Sequence, residues 1–134
     1  MYGQPSYELL LNAPLMKWFW DHYAPDVADR GKTDASPLRA KDLSGLPPAL
    51  LITAELDVLR DEAEAYGERL RAAGVPVTMK QFDRQMHNCF AMPGILPGAA
   101  AALEYVGGQI DRHLAKRAEV DAAANVAKRV RLQA

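Results

Sequence analysis

The sequence predicts an α/β protein built on a parallel βαβ unit with flanking helices. An apolar run at residues 49–52 follows two prolines and leads to Asp57, which suits a buried strand. Residues 59–73 then show helical periodicity, and residues 76–83 alternate as a second strand does. Strand, helix and strand at this spacing form a right-handed crossover in which the two strands are parallel.

A short helix rich in aromatic residues is predicted before this unit. Asn12 is a typical N-cap, and Pro14 is tolerated in the first turn. One face carries Leu15, Trp18, Phe19 and His22. Two interpretations stay open, because such a stripe either packs on a core or lines a binding pocket. Residues 24–48 are rich in prolines and glycines and predict a loop.

The helix between the two strands is amphipathic. Its apolar face consists of Leu59, Ala63, Tyr66, Leu70 and Ala73. Asp61 and Glu62 lie in the first turn, where the helix dipole favours anions, and Gly74 is a typical stop.

The last predicted helix covers residues 98–116. Its apolar residues share one face and are Leu103, Val106, Ile110 and Leu114. The pair Gly107-Gly108 weakens its middle by about 1 kcal/mol per glycine. Residues 117–134 form a tail that either extends the helix or frays, and its acidic residues favour a solvated tail over a nucleic-acid arm.

The composition limits which classes of protein and of binding partner fit this chain. With 49% hydrophobic and 25% charged residues, the 134-residue chain is typical of one globular domain. A net charge of −1 gives no electrostatic reason to expect nucleic acid or a membrane surface as partner. The sequence contains no apolar run of about 18 residues, so it predicts no membrane span. The single cysteine, Cys89, rules out an internal disulfide framework, and we expect the cytoplasm by default.

Asp57 and His87 each follow a predicted strand. The carboxyl ends of parallel strands meet at one edge of a sheet, where reactive groups gather. An acid followed by a histidine is also the order that closes the triad of α/β hydrolases. The alternatives are that Asp57 only caps the following helix and that His87 is an ordinary surface or core histidine. His22 and His113 lie on predicted helices and are interpreted as structural or exposed.

Three stretches resemble the carboxy-terminal half of the hormone-sensitive-lipase-like carboxylesterases, a branch of the α/β-hydrolase fold. They are MKWFWDHY at 16–23, SPLRAKDLSGLPPALLITAELDVLRDEAEAYGERLRAAGVPV at 36–77, and QFDRQMHNCFAMPGILPGA at 81–99. The resemblance covers residues 9–114. It implies that the chain carries the carboxy-terminal part of an α/β-hydrolase sheet, in the form of a parallel βαβ unit plus flanking helices.

The resemblance also implies a chemistry and a set of site residues. Asp57 matches the acid and His87 the base of a Ser-His-Asp triad that hydrolyses small carboxylic esters through an acyl-enzyme. Trp18, Phe19 and Trp20 match the cap region that covers the acyl pocket. No metal or organic cofactor is expected.

Two departures from the family qualify this assignment. The nucleophile motif G-x-S-x-G and the HGGG-type oxyanion loop are absent, and the serines present are Ser6, Ser36 and Ser44. We therefore predict no nucleophile in this chain and no activity of the chain by itself. The family sequence His-Gly-Phe is replaced by His87-Asn88-Cys89-Phe90, so Asn88 is strained if its φ is positive. Cys89 is interpreted as a buried inert thiol rather than a nucleophile.

The resemblance divides the chain into three parts. Residues 1–46 are a helix and loop from the cap or insert region, residues 47–116 the carboxy-terminal βαβα part of the hydrolase core, and residues 117–134 the tail. Two functions are compatible with this division. The first is the carboxy-terminal segment of a carboxylesterase, and the second is a non-catalytic interaction module or split-enzyme half. The second would bind a separately encoded amino-terminal half through an open strand edge.

Overall fold

A computed structural model describes residues 9–132, with the backbone alone for 125–127 and 129–132. Along this part of the chain lie α1 (Ala13–Tyr23), β1 (Ala49–Leu56), α2 (Arg60–Ala72), β2 (Val77–Met86) and α3 (Pro97–Leu132). Short 3₁₀ turns at Val27–Gly31, Pro37–Arg39 and Cys89–Ala91 lie in the connections. The predicted α/β class and its strand-helix-strand order are confirmed.

The two strands pair in parallel, but their register changes near the carboxyl end. Ala54 pairs with Phe82, whereas Leu56 pairs with Met86. One residue of β1 therefore lies opposite three residues of β2, which forms a bulge with two extra residues on β2. Arg84 in this bulge has a φ of 55°. The predicted end of the second strand near residue 83 is wrong, because pairing resumes beyond the bulge and continues to Met86.

Helix α2 packs closely on one face of the sheet at Gly67. A Cβ at that position would lie 2.5 Å from Sδ of Met79 and 2.8 Å from Cδ1 of Leu51. Leu51 and Met79 are register partners, so their side chains share that face. Next to this contact, Leu70 and neighbouring apolar side chains form a small core. The helix ends as predicted, since Gly74 follows it with a φ of 80°.

Helix α3 approaches β2 through small residues. Ala99 and Ala102 are fully buried, and the ring of Tyr105 contacts that of Phe82 at a centroid distance of 6.1 Å. Phe82 is three residues from Met79 and therefore points to the opposite sheet face. Of the four residues predicted to share the apolar face, Val106 is half-buried, and three are exposed, namely Leu103, Ile110 and Leu114.

The tail continues α3 as a helix through Leu132, including Gly107 and Gly108. Of the two alternatives for residues 117–132, the structure therefore shows the extended helix. The final two residues, 133–134, lie outside the described residues. Within residues 9–132, no helix combines the length and apolar character needed to cross a membrane.

Helix α1 begins as predicted. Oδ1 of Asn12 accepts a hydrogen bond from the backbone N–H of Leu15 at 2.9 Å, which caps the helix. No residue of α1 is buried, and Trp18 and Phe19 are 52% and 46% exposed. The interpretation of this stripe as a core-facing surface is therefore wrong for the part of the chain that the structure describes.

Candidate active site

Asp57 is the first residue after β1 and belongs to the turn that leads into α2. Its Oδ1 accepts a hydrogen bond from the backbone N–H of Leu59 at 2.9 Å. Its backbone carbonyl accepts one from the N–H of Arg60 at 3.2 Å. These bonds form an Asx-type turn that fixes the rotamer of the aspartate. The N-cap of α2 is Leu59, so the capping role considered for Asp57 from the sequence is wrong, and the turn uses only one of its two carboxylate oxygens.

The second oxygen of Asp57 contacts His87, which follows the last residue of β2. Oδ2 lies 3.0 Å from Nδ1 of the imidazole. The Asp57 side chain is 14% exposed and the His87 side chain 36% exposed, so the carboxylate lies behind the ring and the ring faces outward. The structure thus brings together the two residues that the sequence placed at neighbouring strand ends.

The partner of Nδ1 determines the tautomer of a neutral His87. A carboxylate oxygen can only accept, so Nδ1 carries the hydrogen and Nε2 carries a lone pair. Among the residues that the structure describes, none forms a hydrogen bond with Nε2. An oriented imidazole whose exposed nitrogen is basic can take a proton from a hydroxyl group brought within reach.

The loop after His87 begins with Asn88 in the left-handed region, with a φ of 61° and a ψ of 23°. The conflict expected from the sequence is therefore real, because the family has glycine where this chain has a side chain at positive φ. Asparagine is among the residues that tolerate this conformation best. The loop then enters the 3₁₀ turn Cys89–Ala91.

Cys89 is 4% exposed. Burial raises the pKa of its thiol, and the negative charge of Asp57 acts in the same direction. A nucleophilic cysteine requires a lowered pKa and access to its reagent. The interpretation of Cys89 as a buried thiol is confirmed.

The three aromatic residues predicted to contact substrate lie on α1. The rings of Trp18 and Phe19 contact each other edge to face at 5.2 Å. Trp20 borders a groove of about 610 Å³ together with residues such as Arg30 and Tyr66. The residues that line this groove do not include the aspartate and histidine described above. A substrate-binding role for the three aromatic residues stays a prediction.

The serines and the other histidines have local partners of their own. The hydroxyl of Ser36 donates to the backbone carbonyl of Arg30 at 2.7 Å, and that of Ser44 lies 3.1 Å from a carboxylate oxygen of Asp42. Ser6 lies outside the described residues. Nδ1 of His22 bonds to a carbonyl within α1, and His113 is exposed on α3. In residues 9–132, none of these groups hydrogen-bonds to His87.

No group of three or more histidine, cysteine, aspartate or glutamate side chains in the described part of the chain is arranged to hold a metal ion.

Comparison with known proteins identifies the class. A family profile described as alpha/beta hydrolase fold matches residues 3–91, a segment that contains both Asp57 and His87. The chain therefore belongs to the proteins of this fold. Within them it belongs to the hormone-sensitive-lipase-like carboxylesterase family, as its relatives show.

The chain is 35% identical over 105 residues to the ethyl acetate hydrolase of Pseudomonas putida, covering 78% of this chain and 33% of that protein. It is 37% identical over 111 residues to the carboxylic ester hydrolase LipN of Mycobacterium tuberculosis, covering 80% of this chain and 29% of that protein. The solved structure of the hyperthermophilic esterase from Pyrobaculum calidifontis superimposes with a TM-score of 0.75 at 37% identity, covering 79% and 34%. The chain thus spans about a third of the length of the curated relatives it matches.

Proposed function

We propose that Asp57 and His87 are the acid and the base of a Ser-His-Asp triad that hydrolyses carboxylic esters. The observation that supports this most directly is the 3.0 Å contact between Oδ2 of Asp57 and Nδ1 of His87. The serine and the oxyanion donors would come from the region that the relatives have and this chain does not span. The chain alone is accordingly proposed to be inactive.

The geometry suits each step of such a reaction. With its Nδ1–H held by Asp57, His87 takes the serine proton at Nε2 while the serine oxygen attacks the ester carbonyl. The aspartate stabilises the imidazolium that forms, and Nε2–H then protonates the departing alcohol. Water deacylates the enzyme by the same sequence and releases the acid. The developing oxyanion needs hydrogen-bond donors. The HGGG-type motif that would supply them is absent from this sequence.

Small carboxylic esters are the proposed substrates. The name of the Pseudomonas putida relative supports this choice and suggests ethyl acetate as a first probe. Trp18, Phe19 and Trp20 are proposed to cover the acyl side of the pocket, because the exposed rings of Trp18 and Phe19 and the half-buried ring of Trp20 offer apolar surface on α1. The proposed steps use no metal and no organic cofactor.

A hybrid enzyme tests the proposal. In it, this chain replaces the corresponding third of the Pseudomonas putida ethyl acetate hydrolase. We expect the hybrid to hydrolyse p-nitrophenyl acetate and ethyl acetate, and the 134-residue chain alone to give no turnover. His87→Gln should lower kcat/KM of the hybrid by roughly 10⁶-fold, since the serine then lacks its base.

The matched control is His113→Gln, the same substitution on an exposed helix position, which should leave the rate of the hybrid unchanged. A folded hybrid whose activity survives His87→Gln would exclude the proposed base. Turnover by the chain alone that an organophosphate abolishes would show that a serine of this chain reacts, contrary to the proposal.

A non-catalytic interaction module is the second candidate. In the described residues the sheet has two strands, β1 and β2, so each strand has one edge without a strand partner. Leu103, Ile110 and Leu114 add exposed apolar surface on α3. This candidate predicts that the chain binds the amino-terminal two thirds of an esterase relative in size-exclusion chromatography, while the hybrid stays inactive.

A further inference from the structure

The bulge near the end of β2 determines how far the strand reaches. Ala54 pairs with Phe82 and Leu56 pairs with Met86, so β2 contains two more residues than β1 over this interval. In an uninterrupted register Asp57 would lie opposite Gln85. His87 would then be two residues further along the strand, a distance of roughly 6–7 Å. The observed contact between Asp57 and His87 therefore depends on the bulge.

The side chain of Glu55 holds the bulge. Its Oε2 accepts a hydrogen bond from the backbone N–H of Arg84 at 2.7 Å. Arg84 is the residue with a φ of 55°, a conformation that residues with side chains rarely adopt unless other contacts hold it. A charged acceptor forms a stronger bond than a carbonyl does, so the carboxylate replaces the strand pairing that the bulge interrupts.

Glu55 is itself held by the first residue of α2. Its backbone carbonyl accepts a hydrogen bond from Nη1 of Arg60 at 3.1 Å. On the far side of the bulge, Gln85 is buried and its amide packs on Gly98, where a Cβ would lie 2.5 Å from Cδ of the glutamine. The bulge is thus fixed between β1, the start of α2 and the start of α3.

We infer that Glu55 is a positioning residue for His87. Its carboxylate stabilises the left-handed conformation of Arg84, which allows β2 to reach Met86 and present the next residue to Asp57. The catalytic part of this inference rests on the proposed function, whereas the structural part concerns only the hydrogen bond between His87 and Asp57.

Nuclear magnetic resonance of the 134-residue chain tests the structural part. The hydrogen on Nδ1 of His87, when bonded to a carboxylate, gives a low-field proton signal, and the ring nitrogens report a single tautomer. We expect Glu55→Ala to remove this signal, as Asp57→Asn also should. The matched control Glu104→Ala, an exposed glutamate on α3, should retain it.

A second variant separates positioning from general loss of folding. Glycine adopts a positive φ without help, so Glu55→Ala combined with Arg84→Gly should restore the signal. Retention of the signal in Glu55→Ala would overturn the inference, and so would failure of Arg84→Gly to restore it. If the spectra of the chain alone are unresolved, the same labelled histidine is observed in the hybrid enzyme.

The hybrid enzyme also tests the catalytic part. Glu55→Ala should lower kcat by on the order of 10- to 100-fold with little change in KM, because the base is misplaced while ester binding is kept. Arg84→Gly should again restore the rate, and unchanged kcat in Glu55→Ala would contradict the catalytic role. A hybrid that is inactive with every residue intact would refute the proposed function alone, since the signal of Nδ1–H still decides the role of Glu55.

Discussion

The carboxyl end of the sheet and the outer helices α1 and α3 differ in how many of their side chains find partners within the described chain. At the sheet end, the carboxylates of Asp57 and Glu55 both accept hydrogen bonds from groups distant in sequence. On the helices, large apolar side chains such as Trp18 and Leu114 are more than half exposed. The comparison shows that this chain contains the groups that orient Asp57 and His87 toward each other. The apolar surfaces of α1 and α3 lack comparable burial in the described residues.

The largest effect is expected from one substitution made both in the small core beneath α2 and on the exposed surface of α3. Leu70 is 2% exposed and packs with Leu43 and Val75, whereas Leu114 is 59% exposed. Leu70→Ala removes buried methyl groups and leaves a cavity, so it should lower the free energy of unfolding by about 3 kcal/mol. Leu114→Ala should change it by less than about 0.5 kcal/mol. Urea unfolding followed by circular dichroism measures both.

Equal losses in the two variants would contradict the comparison. They would mean that α3 buries Leu114 in solution, either against a second copy of the chain or against another molecule. Sedimentation of the native chain separates these two cases, because a second copy would double the mass.

Substitution of Gly67 and of Gly107 by alanine should change the stability by intermediate amounts and in opposite directions. Gly67→Ala brings a Cβ against Met79 and Leu51, which should push α2 from the sheet and destabilise the fold by about 1–3 kcal/mol. At Gly107, the position that a Cβ would occupy has no neighbour within 4 Å, so Gly107→Ala adds helix propensity only. It should stabilise the chain by about 0.5–1 kcal/mol. Thermal melts of both variants give the two signs, and a stable Gly67→Ala variant would refute the close packing of α2.

The same contrast explains what the sequence could predict. Apolar runs, helical periodicity and a stop glycine are local signals, and they predicted β1, α2 and the positions of Asp57 and His87 at neighbouring strand ends. The bulge depends on a bond between Glu55 and Arg84, residues 29 positions apart, and no local pattern announces it. The hydropathy pattern also predicted that the face of α3 with Leu103 and Leu114 is buried. The residues of α3 that are buried next to β2 are instead Ala99 and Ala102.

The smallest effect concerns the thiol beside the histidine and depends on pH. Burial, with a further contribution from Asp57, raises the pKa of Cys89, so the folded chain holds the thiol proton more tightly than the unfolded chain does. This contribution to stability is complete below the ordinary thiol pKa and is lost as pH rises above it. From about pH 8 to about pH 10, the unfolding midpoint should therefore fall more steeply in the native sequence than in Cys89→Ala.

Lysine and tyrosine side chains titrate over the same range, and the Cys89→Ala variant retains them, so the difference between the two slopes isolates the thiol. Parallel slopes would mean that Cys89 is hydrated in solution. The loop after His87 would then be looser than the sheet end that precedes it, and the well-packed region would end at His87 itself. A steeper native slope would extend that region through the 3₁₀ turn Cys89–Ala91. Cys89, two residues after His87, would then be held by packing as firmly as Asp57 is held by its turn.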